Sequence, residues 1–141
     1  MLWRAEVIES VFGSTPSAEL LRANRSYYSH AIRSGTHIAV VAGECVTDMG
    51  CGALCLQQEL PSPDNPSGRC AYLMNIYVRP EHRQKGIAHD VVRWLVQYAK
   101  DAGCGKIYLE TTDAGRRIYE DLGFVDLKGY MKYEENDDRQ I

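Results

Sequence analysis

A layered domain of the α/β or α+β class, a mixed sheet with helices on its faces, is what this sequence predicts. Two helical segments come first, and three β-rich runs follow in hairpin-like succession. A strongly amphipathic helix then leads into alternating short strands and a short helix. That order of elements is the signature of helices laid on a sheet. The 141 residues, 45% hydrophobic and 25% charged, suit one domain spanning 1–141 with one core.

Residues 2–12 place Leu2, Ala5, Ile8 and Phe12 at helical spacing, with Gly13 to end the helix. Thr15 as cap and Pro16 in the first turn open a second helix that carries Glu19 early and runs until Gly35. From Thr36 the chain turns β-branched and small, THIAVVAGECV. The turn-like TDMG and the run CGALCLQQEL complete a hairpin. Three prolines and polar filling make residues 61–69 a loop, and CAYLMNIYV is the third strand. In the next helix Ile87, Val91, Leu95 and Ala99 recur every fourth residue beside Ala88, Val92 and Val96, a broad apolar stripe. Gly103 or Gly105 stops it. KIYLETT reads as a strand, AGRRIYEDLG as a short helix, and FVDL with GYMKYE as two last strands, with a frayed polar tail over 135–141.

Composition narrows the chemistry. The net charge of −3 is at odds with a nucleic-acid partner, which calls for a basic face. No run of about 18 apolar residues is present to cross a membrane, and MLWRAEVIES is not a secretory leader. The expectation is a soluble cytoplasmic protein with no membrane partner. The five cysteines, Cys45, Cys51, Cys55, Cys70 and Cys104, form no CxxC pair and have no histidine at ligand spacing. Reduced, structural thiols and no metal are therefore expected.

The stretch that carries chemistry joins the third strand to the long helix, YLMNIYVRPEHRQKGIAHDVV. A glycine-bearing loop that opens a helix collects unpaired backbone amides at the positive end of the helix dipole, which is an anion site. Each charge-assisted hydrogen bond contributes about 1.5–3 kcal/mol. Four or five amides with Arg83 and Lys85 would thus hold a diphosphate in spite of the acidic sum. By itself RQKG could equally be a solvated loop ahead of a helix.

The region from Tyr72 to Phe124 resembles the GCN5-related N-acetyltransferase superfamily, GNAT. The similarity rests on VRPEHR, on RQKGIA at the place of the R/QxxGxG/A signature, on the amphipathic helix, on KIYLETT and on IYEDLGF, which looks like the LYxxxGF ending. The resemblance implies a mostly antiparallel mixed sheet and acetyl-CoA as cosubstrate. It also implies a diphosphate held by the backbone of Arg83, Gln84, Lys85, Gly86, Ile87 and Ala88, and a pantetheine arm paired like an extra strand with backbone near Ile76 and Val78. Asn75, polar inside that strand, fits a bulge or a substrate-facing position. Tyr119 falls where the family places the proton donor to the leaving sulfur. A half-buried packing role is its alternative.

An amine with pKa about 10.4 must lose a proton before it attacks. Glu110 is the first candidate base, acting directly or through a water relay, against a solvent-facing strand role; His82 and His37 are weaker ones. Thr112 and Gly115 stand where many members carry asparagine and alanine, with Thr112 able to bond the pantetheine arm. Arg116 and Arg117 reach coenzyme phosphates or coat their helix. The family's usual first strand is lacking, so the sheet edge could pair with a second copy as a homodimer. The implied reaction is direct acetyl transfer from acetyl-CoA to a primary amine of a small-molecule or peptide acceptor. A noncatalytic acyl-CoA-binding module is the alternative.

Overall fold

The computed structural model describes residues 1–135 and contains four helices and four strands. Helix α1 (Leu2–Phe12) ends at Gly13 in the left-handed conformation, as its glycine predicts. Its buried side chains are Val7 and Ile8, whereas Leu2 and Phe12 are 81% and 70% exposed. Helical spacing located the helix but not its inner face. Helix α2 (Ala18–Arg33) is capped by Ser17, whose Oγ accepts from the Leu20 amide at 3.1 Å. Thr15 is therefore not the cap, because Ser17 holds the extended backbone that lets a side chain turn back onto the first turn.

Strands β1 (His37–Glu44) and β2 (Thr47–Gln58) form the hairpin, but the turn is Cys45–Val46 and TDMG lies inside β2. Glu44 pairs with Thr47, and Cys45 takes φ 52 to close the two-residue loop. The turn-like composition of TDMG was misleading because cross-strand pairing decides where a hairpin folds back.

Strand β3 (Arg69–Val78) pairs antiparallel with β2 and parallel with β4 (Lys106–Leu109), giving the order β1-β2-β3-β4. Helix α3 (Ile87–Asp101) covers one face, with Val91, Val92, Leu95 and Ala99 buried against Leu54, Ala71 and Leu73. Helices α1 and α2 lie over the other face, and α4 (Arg116–Asp121) packs beside α3. The outer edge of β1 has no partner strand among the described residues, in keeping with the lacking first strand.

The two last strands expected from FVDL and GYMKYE do not form. Val125, Met131 and Tyr133 are 88%, 97% and 86% exposed, so their alternating pattern buries nothing, and β4 offers only four residues as a template. Most of the tail expected over 135–141, residues 136–141, lies outside the described residues. All five cysteines are free; Cys51 and Cys70 are buried and Cys45 is exposed.

Candidate active site

The backbone geometry of β3 comes first. Cys51 of β2 faces Tyr77 and Ala53 faces Met74, so Asn75 and Ile76 together oppose Gly52 in a β-bulge. Asn75 adopts φ 59, an uncommon conformation that a short polar side chain tolerates. The bulge expected at Asn75 is present, and its side chain accepts from Arg4 Nη1 at 3.1 Å. On the other side, the ladder between β3 and β4 stops at Leu73 and Leu109. From Met74 to Val78 the β4-facing edge of β3 is therefore unpaired, and the two strands part there.

Beyond Val78 a short 3-10 turn, Pro80–His82, leads into the loop before α3. Gln84 and Gly86 take φ 65 and φ 79, and Gly86 caps α3 without any side-chain hydrogen bond. No backbone carbonyl or side chain among the described residues accepts from the amides of Gln84, Lys85, Gly86, Ile87, Ala88 and His89. Such a row of donors at a helix start is a concave anion cradle. Arg83 differs from the expectation: its amide donates to Pro80 O at 3.3 Å and its Nε donates to Val78 O at 2.9 Å. The Val78 carbonyl is thereby occupied, and the guanidinium lies 5.8 Å over the Tyr77 ring. His89, whose amide joins the row, was not singled out from sequence because the motif ends at Ala88.

A cavity of about 790 Å³ runs along β4 and α4 and collects Glu110, Arg116 and Tyr119, but not residues 83–88. Tyr119 packs edge-on against Phe124 with ring centroids 5.8 Å apart, and burial pushes its phenol up to about 12. Glu110 is exposed just past the end of β4. Burial first, and then the charge of Glu110, hold the Tyr72 phenol above its ordinary range. Arg116 is held by Glu120 at 2.7 Å and by Asp126, so it ties α4 to the following segment, and a phosphate would have to displace two carboxylates to reach it. Arg117 and Thr112 are exposed, and the Thr112 carbonyl accepts from the Gly115 amide at 3.1 Å.

A second cavity, about 530 Å³, opens between α1, α2 and the sheet and reaches the bulge at Asn75. His37 lies on its wall, 2% exposed, with Nδ1 3.0 Å from the Tyr27 phenol Oη and Nε2 unpartnered among the described residues. Desolvation holds its pKa below the ordinary histidine value. His82 sits instead on the 3-10 turn, its Nδ1 buried without a partner. Sequence reading passed over this cavity, although Arg25, Ser29 and Arg33, four apart on one helix, gave a signal for it.

Among the described residues no group of three His, Cys, Asp or Glu is placed to hold a metal, and no helix is long and apolar enough to cross a membrane.

The sequence model of the Acetyltransferase (GNAT) family matches residues 5–124. A thialysine N-epsilon-acetyltransferase of Sus scrofa is 32% identical over 95 residues, which is 52% of this chain and 56% of that protein. A probable glucosamine 6-phosphate N-acetyltransferase 2 of Oryza sativa subsp. japonica is 37% identical over 59 residues, 42% of this chain and 36% of that one. The matches thus span about half or less of these relatives' lengths. A crystal structure of a predicted acetyltransferase with acetyl-CoA from Clostridium acetobutylicum superposes with a TM-score of 0.84 at 24% identity, covering 94% of this chain and 85% of that one.

Proposed function

The chain belongs to the acetyltransferase (GNAT) family, and from that premise we propose that it is an N-acetyltransferase that passes the acetyl group of acetyl-CoA directly to a primary amine. The observation that carries this reading is the row of six unaccepted amides, Gln84 to His89, beside the unpaired edge of β3.

The amides hold the diphosphate of the coenzyme, with Gln84 and Lys85 flanking it and the α3 dipole adding attraction. Backbone groups near Ile76 pair with the amides of the pantetheine arm along the edge that β4 leaves open. Val78 can offer its N–H, its carbonyl being taken by Arg83. When bound, the coenzyme supplies an activated acyl carbon as its thioester.

The amine approaches from the α1/α2 face, where the bulge at Asn75 interrupts the sheet. A carbon–nitrogen bond forms as the carbon–sulfur bond breaks, so one proton must leave nitrogen and one must reach sulfur. Glu110, acting through water, takes the first. Tyr119 is the hydrogen-bond donor to the departing sulfur. With its phenol at about 12 and a thiol at about 8.5, outright transfer would cost roughly 5 kcal/mol. Tyr119 therefore steadies the departing thiolate by a shared hydrogen bond rather than surrendering its proton, and the proton that sulfur gains is the one released from nitrogen, relayed through Glu110 and water.

The acceptors in the names of the relatives, thialysine and glucosamine 6-phosphate, support a small amine as the substrate class. Thiol release from acetyl-CoA across a panel of amines, beside calorimetric coenzyme binding, tests the proposal. Release with at least one amine supports it, whereas binding with no release for any amine would leave a noncatalytic acyl-CoA-binding module.

A further inference from the structure

Resting on the acetyltransferase reading, we infer that the acceptor amine carries an anionic group, a carboxylate or phosphate, bound by Arg25 and Arg33 in the cavity between α1, α2 and the sheet. The cavity is lined by Arg4, Arg25 and Arg33 and by no aspartate or glutamate. This is notable in a chain with 19 acidic against 16 basic residues, where Arg79, Arg93 and Arg116 are each paired with a carboxylate.

Arg4 bonds only neutral oxygens, Asn24 Oδ1 at 3.0 Å and Asn75 Oδ1 at 3.1 Å, so its charge is not cancelled. Glu6, whose charge acts on Cys51 in the cavity wall, is already engaged by Arg79. No ion pair involves Arg25 or Arg33 among the described residues.

Arg25 and Arg33 lie eight residues apart on one face of α2, about 12 Å along the axis at 1.5 Å per residue. Tyr28 and Ile32 fill the wall between them. The cavity reaches the bulge at Asn75, next to Ile76, where the pantetheine arm is proposed to pair, and Tyr28 and Ile32 give it an apolar wall bracketed by guanidinium groups. This layout suits a nitrogen at the bulge, an aliphatic stem and an anion that a guanidinium binds through paired N–H groups.

The test compares matched amines in the thiol-release assay: ε-aminocaproate against hexylamine for a carboxylate, and phosphoethanolamine against ethanolamine for a phosphate. Wild type, Arg25→Gln, Arg33→Gln and the control Arg22→Gln, on the same helix outside the cavity, are assayed after thermal melts establish folding, with coenzyme Kd measured on the same samples. The expected result is that the anionic member of at least one pair has the higher kcat/KM by about tenfold or more, the size of one charged hydrogen bond. Arg25→Gln and Arg33→Gln should erase that advantage through KM while coenzyme Kd and turnover of the neutral amine hold, and Arg22→Gln should leave all three unchanged. Which pair responds separates carboxylate from phosphate. Equal or better use of the neutral amines overturns the inference, as does an equal effect of the arginine variants on both members. Should coenzyme bind but no amine be acetylated, calorimetry with ε-aminocaproate and phosphoethanolamine on the coenzyme-loaded protein decides: binding lost in the arginine variants upholds the anion site while the activity fails, and no binding overturns it.

Discussion

Gly86 shows how one residue serves both fold and site. A Cβ built there meets nothing within 4 Å, so its requirement for glycine comes from φ +79 and not from crowding. Gly86→Ala should therefore cost about 1–2 kcal/mol of stability, the price of a left-handed side-chain-bearing residue, with coenzyme affinity largely kept. Gly86→Glu adds a carboxylate to the amide row and should weaken coenzyme binding roughly thirtyfold or more, about 2 kcal/mol. Chemical melts and calorimetry on the two variants separate the effects. Tyr119→Phe should lower kcat by about tenfold to a hundredfold with coenzyme Kd unchanged; full turnover would remove the phenol from the reaction. The loop and the position of Tyr119 were legible because their residue types form a spaced pattern. The ties of Arg83 to Val78 and of Arg116 to Glu120 and Asp126 were not, because nothing in a string of residues says which of several nearby oxygens a guanidinium will meet.

Helix α1 is joined to the end of β3 by Arg79, which donates Nε and Nη2 to the Glu6 carboxylate at 3.1 and 2.7 Å, while Trp3 lies under the same guanidinium at 4.3 Å. The hydrogen bonds to Arg79, ahead of its charge, hold the Glu6 carboxyl below the ordinary value of 4.5. A depressed folded-state pKa means stability that is present above about pH 4.5 and lost as pH falls through the depressed value. Glu6→Gln should accordingly lower Tm by a few degrees at pH 7, and the gap to wild type should narrow steadily as pH falls below 4.5, a trend read from paired melts. Neither partner was singled out from sequence, since 73 positions separate them. The elements themselves were legible where period and punctuation agreed: α1 and α3 have the expected bounds, with Gly13 and Gly103 in left-handed stops. Reading failed where the decision was tertiary. The hairpin turned at Cys45–Val46 because Glu44 pairs with Thr47, and the last two strands found no long enough neighbour on β4.

Across the whole molecule, one buried layer between α3 and the sheet holds the bulged strand and the amide row in a fixed relation. Gly52 is the tightest point of that layer, since a Cβ there would come within 2.5 Å of Val91, 2.8 Å of Ile76 and 3.1 Å of Leu95. Gly52→Ala should destabilise by about 1–3 kcal/mol through overpacking and, by shifting Ile76, weaken coenzyme binding at a site it does not touch; urea melts and calorimetry check both. The measurement nearest to the central claim is the amide spectrum of the isotope-labelled protein titrated with coenzyme A. The account predicts that the largest shifts fall on Gln84 to His89, with a second set on Met74 to Val78. Saturable binding that leaves those amides unmoved, or no binding at all, would contradict it.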